Sequence, residues 1–401
     1  MRRRLLIAAL AACVLTVAGC GGVATRLIVR TTSTISSQSN PPPAAGIGFP
    51  VLATKNTTRV SGADSISNAA GVALAVFPSA APGTHPTAVT IAPTDDWEAA
   101  IAASVLMAPP IGAPILLSGS ASLPPATTNA LSLLAPTGSG PAAGAQAIRV
   151  GDVPAAKGLR SAAITGNGPY ALAAAIDKFA SAAAGKPSPA VVIASADSPA
   201  YAMPAAGWAA ESGDPILFVN ATGIPAPTAQ ALESHQMPHI YVLGPPSVIP
   251  DTILTQLRKY GTVNRVGDSD PAANSVAFAV YRDPPCAVNQ PCAHVPGSFG
   301  WAMRSPGHGY TVINANNTLD AAASAPLSAS GSYGPQLLID TPNQLPQSVL
   351  TFFLDYATPG YTAEGPTAAV YNHGWIIGDP SVISVSVQSQ IDSLLEVVPQ
   401  K

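Results

Sequence analysis

The chain has 401 residues, 47% of them hydrophobic and only 10% charged, with a formal net charge of −3. That length suits two or three ordinary domains. Such low charge with abundant Ala, Val, Ile and Leu excludes a mostly disordered chain and a charge-rich coiled coil, and beyond the first twenty residues no uninterrupted apolar run is long enough to span a bilayer.

In chain order, Arg2, Arg3 and Arg4 precede an apolar stretch, Leu5–Val17, that ends in small residues, the pattern of a secretory leader. Val17-Ala18-Gly19-Cys20 resembles the lipobox of bacterial lipoproteins. The resemblance implies removal of residues 1–19, lipid on the Cys20 thiol and an extracytoplasmic, membrane-anchored chain, since two or more acyl chains anchor stably. Without the leader, 15 basic residues face 21 acidic ones, a formal charge of −6, which argues against nucleic acid as a partner. Residues 20–58 are rich in Ser, Thr, Pro and Gly and are expected to form a lipidated, flexible tether. Cys286 and Cys292, six positions apart, read as a local disulfide in an oxidising compartment. Only His294 and His308 lie near them, so no metal site is expected.

Three landmarks then recur in the same order. The first is Arg59-Val60-Ser61-Gly62-Ala63-Asp64, matched at Ala163–Gly168 and Arg265–Asp270, each before an Ala-rich helical stretch. The second is a β-branched run, a polar turn, another Ala-rich helix and a hydrophobic run that begins at Pro114, Pro215 or Pro335. The third is a short strand ending at Gly151, Gly244 or Gly378. Short Val/Ile/Leu runs alternating with helical stretches predict β-α units around parallel sheets. The units are placed at residues 59–160, 161–262 and 263–401, the last with an insertion at about 283–309 that holds the cysteine pair.

The order R-I-x-G-x-D, helix, V-V-I-A, polar turn, P-I-L-L and V-x-V-L-G-G resembles the cell wall-binding repeat 2 family. Pro114-Ile115-Leu116-Leu117 matches P-I-L-L fully, Pro215-Ile216-Leu217-Phe218 nearly, and Pro335-Gln336-Leu337-Leu338 in part. The second copy has Ala163 where the first Arg stands in the others. The resemblance implies an α/β chain of three tandem Rossmann-like modules packed with pseudo-threefold symmetry. It also implies attachment to anionic polymers of the bacterial wall.

In parallel sheets, ligands bind beyond the carboxyl ends of the strands. Aligning the copies places Asp95, Asp197 and Asn317 at one position after the first strand, and Ser118, Asn220 and Asp340 after the second. These residues, with Arg59 and Arg265, are the candidate polymer contacts. The plainer expectations are helix capping for the first set, with Asp95 and Glu98 at capping-box spacing, and pairing of the arginines with Asp64 and Asp270. The glycine-ended strands lack G-x-G-x-x-G, so no nucleotide or other cofactor is implied. The six histidines do not recur between copies, and neither H-E-x-x-H nor G-x-S-x-G appears. The expectation is a non-enzymatic envelope lipoprotein bridging membrane and wall. The alternatives are a scaffold docking onto an envelope protein and, third, a hydrolase using Asp95, Asp96 and Glu98.

Overall fold

The computed structural model describes residues 50–283, 299–330, 333–361 and 369–399. It opens on an antiparallel hairpin, β1 (Pro50–Ala53) and β2 (Thr57–Val60). Residues 50–60 are therefore strand and turn, although the tether was expected to run to residue 58. Cys20, the rest of that segment and the Cys286–Cys292 pair lie outside the described residues. The first copy continues with α1 (Ser65–Val76), β3 (Val89–Pro93), α2 (Trp97–Ala102) with a 3-10 extension over Ala103–Met107, β4 (Ile115–Ser118), α3 (Pro125–Leu134) and β5 (Ala147–Val150). The second runs through β6 (Ser161–Ile164), α4 (Pro169–Ala184), β7 (Ala190–Ser195), α5 (Pro199–Ala202), α6 (Pro204–Ser212), β8 (Ile216–Val219), α7 (Ala226–Ser234), β9 (His239–Leu243) and α8 (Asp251–Leu257). The third comprises β10 (Thr262–Val266), α9 (Pro271–Val280), β11 (Gly309–Asn314), α10 (Leu319–Ser328), β12 (Gln336–Ile339), α11 (Gln347–Phe352), β13 (Gly360–Tyr361), β14 (His373–Ile377), α12 (Val385–Leu394) and β15 (Val398–Pro399).

Three sheets result, ordered β4-β3-β5-β6, β8-β7-β9-β10 and β12-β11-β14-β2-β1, and β13 pairs with β15. Every pair except β1 with β2 is parallel, so a helix must carry the chain back between most successive strands. The central strands β3, β7 and β11 are buried along their whole length, which accounts for their largely apolar or small-residue character. The P-I-L-L strands are buried as well. The chain is thus α/β, built of tandem parallel-sheet modules.

The sheets are out of step with the sequence copies. β6, which opens the second copy, is the edge strand of the first sheet, and β10, which opens the third, is the edge strand of the second. β2 has no preceding copy and joins the third sheet beside β14, Thr57 opposite Gly374 and Val60 opposite Ile377. The beginning and end of the described chain are therefore clasped together. Asp392 of α12 reinforces the clasp by accepting from the Asn56 amide at 2.7 Å and the Thr54 hydroxyl at 2.6 Å.

The chain changes sheets in the glycine turn between a landmark strand and its helix. A Cβ on Gly62 would sit 2.6 Å from the Asn68 amide nitrogen, and one on Gly166 2.7 Å from the Ala171 carbonyl carbon. Only glycine lets the helix start so close to the strand end. Asp64 and Asp270 then cap α1 and α9 by accepting from Ser67 and Ala273. In the second copy the corresponding residue is Gly168, at φ 82° and without a side-chain cap, and Pro169 opens the helix.

The Ala-rich helices α2, α6 and α10 pack on one another where the sheets meet. Ala99, Ala206, Ala209 and Ala322 are fully buried there. Much of the chain's alanine is thus interface between modules, where small side chains let helices approach. A Cβ on Gly207 of α6 would lie 2.5 Å from the Ser328 hydroxyl of α10. Gln336, the departure from P-I-L-L in the third copy, pins this contact. Its carbonyl accepts the Gly207 N–H at 3.1 Å, and its amide donates to the Ala321 carbonyl and the Ser324 hydroxyl.

Candidate functional site

Backbone register decides which residues stand at the carboxyl end of each central strand. The amides of Thr94, Ala196 and Ala315 donate to Ser118, Val219 and Ile339 at 3.0, 2.9 and 2.7 Å. The next residues in the three copies are Asp95, Asp197 and Asn316, all exposed. Asn317, expected in that set, falls one position later, where it donates to Asp320 at 3.4 Å. The run of polar residues from Asn314 hides this offset, because the strand includes Asn314 itself. Asp197 accepts from the Ala221 amide at 2.8 Å, and Asn316 donates to the Asp340 carbonyl at 3.0 Å, so both bridge to the neighbouring strand end. Capping of α2 falls to Asp96, which accepts the Ala99 N–H at 2.8 Å, and not to Asp95.

The second set splits similarly. Ser118 is buried with its hydroxyl turned to the Gly119 carbonyl at 2.8 Å. Gly119 is the residue in register with Asn220 and Asp340. Asn220 accepts from Thr222 and Gly223, tightening its own turn, and Asp340 is exposed.

The arginines face backbone. Arg59 is fully buried and donates to Gln388 at 2.8 Å and to the Gly378 and Ser384 carbonyls at 2.7 and 3.4 Å. Burial pushes its pKa down to about 10. Arg265 repeats the pattern toward the Gly244 and Ile249 carbonyls, both at 2.6 Å, and pairs with Asp251 at 2.9 Å. Neither bonds the Asp64 or Asp270 expected as its partner, since those carboxylates cap helices. Each arginine instead ties a landmark strand to the glycine ending its neighbour. The exposed Ala163 marks the joint where this tie is missing.

That joint differs in a second way. Where the second sheet passes into the third, Tyr201 donates to the Ser269 carbonyl at 2.8 Å and Asn274 accepts from the Asp268 amide at 3.4 Å. At the closing joint, Asn68 accepts from Gly62 at 2.8 Å and donates to the buried Asp320 at 3.0 Å. At the first-to-second joint, Leu172 stands in place of the asparagine and Ala99 in place of Tyr201. A cleft of about 550 Å³ opens there, lined by Pro93, Asp95, Asp96, Gly151, Asp152, Thr165, Gly166, Asn167, Gly168 and Leu172. Sequence reasoning found Asp95 and Asp96 but missed Asp152, Thr165 and Asn167. The visible signal was the loss of Arg and Asp at Ala163 and Gly168.

Beside the cleft, burial raises the Asp96 pKa. Glu98 is pushed up to about 7, by burial first and then by the charge and hydrogen bond of Asp96.

A buried pair also escaped the sequence. The His235 ring has Nδ1 2.8 Å from the Ser188 carbonyl and Nε2 2.8 Å from the Asp177 carboxylate. Both nitrogens face acceptors, so only the doubly protonated ring satisfies both. Burial opposes the charge, yet Asp177, the Ser188 carbonyl and Asp214 together leave the pKa raised. Among the described residues no three or more His, Cys, Asp or Glu side chains are placed to hold a metal ion. No described helix is long and apolar enough to cross a membrane.

These features define a class, parallel-sheet modules that lend an edge strand to the module before. Residues 163–254 match the family model of Cell wall binding domain 2 (CWB2), and the resemblance read from the sequence holds there. The matched stretch begins in β6 and ends in α8, so the family unit itself straddles two sheets. Among solved structures, the fold is similar to Cwp6 from Clostridium difficile, with a TM-score of 0.65 and 16% identity over 85% of this chain and 48% of that one. It is also similar to Cwp8 from Clostridium difficile, with a TM-score of 0.60 and 16% identity over 85% of this chain and 52% of that one. The chain thus spans about half the length of the solved structures it matches. No curated protein matches it in sequence.

Proposed function

We propose that this protein is a non-catalytic envelope lipoprotein, anchored through Cys20, whose three modules bind cell-wall glycopolymer and bridge membrane and wall. The observation carrying the reading is the match of residues 163–254 to a cell wall binding module within an assembly whose other two sheets repeat the same strand order. The mutual packing of α2, α6 and α10 supports a pseudo-threefold arrangement. The exposed strand-end residues Asp95, Asp197, Asn316 and Asp340 are the polar contacts offered to a polymer, whereas Arg59 and Ser118 are turned inward. The leader pattern and lipobox-like Val17–Cys20 support the anchor.

The test is co-sedimentation of the full chain, purified in detergent, with native walls and with walls stripped of their glycopolymer. Binding that disappears on stripping is expected. Binding to neither wall, with a membrane protein recovered by cross-linking in cells, would replace this reading with the scaffold alternative. Mass analysis of the mature N-terminus checks the anchor, which requires a diacylglycerol-modified Cys20.

A further inference from the structure

We propose that β6, the outer strand of the first sheet, accepts an extended acidic segment of a partner protein as an added antiparallel strand, with a carboxylate of that segment set over Ala163 toward Arg149. This surface runs along a sheet edge, apart from the strand ends offered to a polymer, so the inference goes beyond the wall reading.

The landmark strands β2, β6 and β10 hold equivalent places but differ in cover. β2 is flanked by β1, which pairs with it antiparallel and sets Leu52 opposite Arg59. β10 ends its sheet, and its Arg265 is spent on the Gly244 and Ile249 carbonyls and on Asp251. β6 ends its sheet with neither device. The carbonyls of Arg160 and Ile164 accept from Ala147 and Gly151 on the β5 side, at 3.1 and 2.9 Å. Backbone groups of alternate residues turn to opposite sides of a strand, so those of Ser161 and Ala163 point outward. Such unpaired groups are a template for another strand, and β1 on β2 shows the mode of addition that this fold admits. The sheet face beside the edge is open too. α8 and α12 follow the glycine-ended strand in the other copies, whereas residues 151–160 form turns without a helix, and Ser161 and Ala163 are exposed.

Charge selects the occupant. Register places Arg149 of β5 directly opposite Ala163, whereas Val242 and Ile376 stand opposite Arg265 and Arg59. The first sheet thus carries its arginine one strand further in, beside a methyl group. Arg149 is half-buried, donates to the Val153 carbonyl at 3.0 Å and keeps a buried Nε without a partner. Strands lie about 4.8 Å apart, so a residue added opposite Ala163 would stand roughly 10 Å from Arg149. A glutamate and an arginine close that gap from both sides over so small a residue. Residues 147–165 hold Arg149, Lys157 and Arg160 against Asp152 alone, in a chain whose formal charge is −3. A strand bearing carboxylates complements this edge, and a basic one is repelled by it.

The experiment is amide exchange, read by mass spectrometry on the full chain in detergent. The probes are the hexapeptide Thr-Val-Glu-Val-Thr-Val and its counterparts with glutamine or lysine for the glutamate, each at roughly millimolar concentration. The glutamate peptide is expected to slow exchange at residues 161–165, the glutamine peptide to bind about fivefold more weakly, and the lysine peptide not to bind. Proline is tolerated on an edge strand where its missing N–H faces solvent, so Ala163→Pro should abolish the protection and leave the urea midpoint in place. Arg149→Gln should bring the glutamate peptide down to the level of the glutamine peptide, and it decides the matter if Ala163→Pro fails to fold. No protection by any peptide, equal protection by the lysine peptide, protection that survives in folded Ala163→Pro, or a glutamate preference that survives Arg149→Gln would overturn the proposal. Protection of these residues without peptide, rising with protein concentration, would overturn the stated occupant in favour of a second copy of this chain.

Discussion

Gln336→Ile restores the P-I-L-L pattern of the first copy, so residue statistics favour it as stabilising. The structure predicts the opposite. Gln336 is fully buried, and the substitution removes three hydrogen bonds, of 3.1, 2.7 and 2.9 Å. Ser324 keeps a partner through its own bond to the Asp320 carbonyl at 2.6 Å. The N–H of Gly207, the fourth residue of α6, loses the acceptor it uses, and the Met203 carbonyl one turn back already takes the Ala206 N–H at 3.1 Å. A buried donor left unsatisfied costs about 1–3 kcal/mol, against which a more apolar side chain returns roughly 1 kcal/mol. The net expectation is a loss of about 1–2 kcal/mol, concentrated at the contact of α6 with α10. Urea unfolding should show a lower midpoint, and amide exchange at Gly207 should accelerate about tenfold relative to amides in β7. An unchanged or higher midpoint with Gly207 still protected would refute the reasoning.

Gly166→Ala, with its Cβ forced against the α4 backbone, should cost about 1–3 kcal/mol as overpacking does, read from the urea midpoint; a cost below 0.5 kcal/mol on the same scale would mean the joint is looser than drawn. Arg59→Ala should be more harmful than Arg265→Ala, by roughly 1 kcal/mol or more, because Arg59 leaves buried carbonyls behind while Arg265 borders solvent; equal losses would show that burial is not what sets the cost. His235 has a folded pKa above the ordinary value of about 6.5, so its pairing with Asp177 stabilises the fold at lower pH and that contribution is lost as pH rises through the folded value. The urea midpoint should accordingly fall as pH rises above about 6.5, and Asp177→Asn should flatten the slope and destabilise most on its acid side. Glu98, also raised, acts in the same direction between about 4.5 and 7, and a Glu98→Gln background separates the two.

The threefold repetition, the identity of nearly every strand and the burial of the P-I-L-L segments were legible in the sequence because they depend on local pattern. Val, Ile and Leu runs of strand length between Ala-rich stretches have one comfortable arrangement, a covered parallel sheet. The strand-ending glycines were equally readable, and Gly151, Gly244 and Gly378 all adopt positive φ. The candidate site was less so. Asp95 and Asp197 stand where expected, but Asn316 replaces Asn317, since a single-residue choice of strand end within Asn314–Asn317 is settled by pairing with β12. Similarly, Asp95 and Asp96 are equally plausible caps until the helix direction is known.

The sequence by itself determined the composition of each unit: its strands, its helices, the glycine turns and the buried faces, all set by residues a few positions apart. Only the tertiary structure decided which sheet each landmark strand would join. Val60, Ile164 and Val266 end short strands of the same local pattern whichever sheet they join, and the close glycine turn that follows directs the helix onto the next sheet. The same holds for the link from Gln336 to Gly207, for the His235–Asp177 pair and for the cleft between the first two modules. Each depends on side chains tens of residues apart or more, which meet only when the sheets pack.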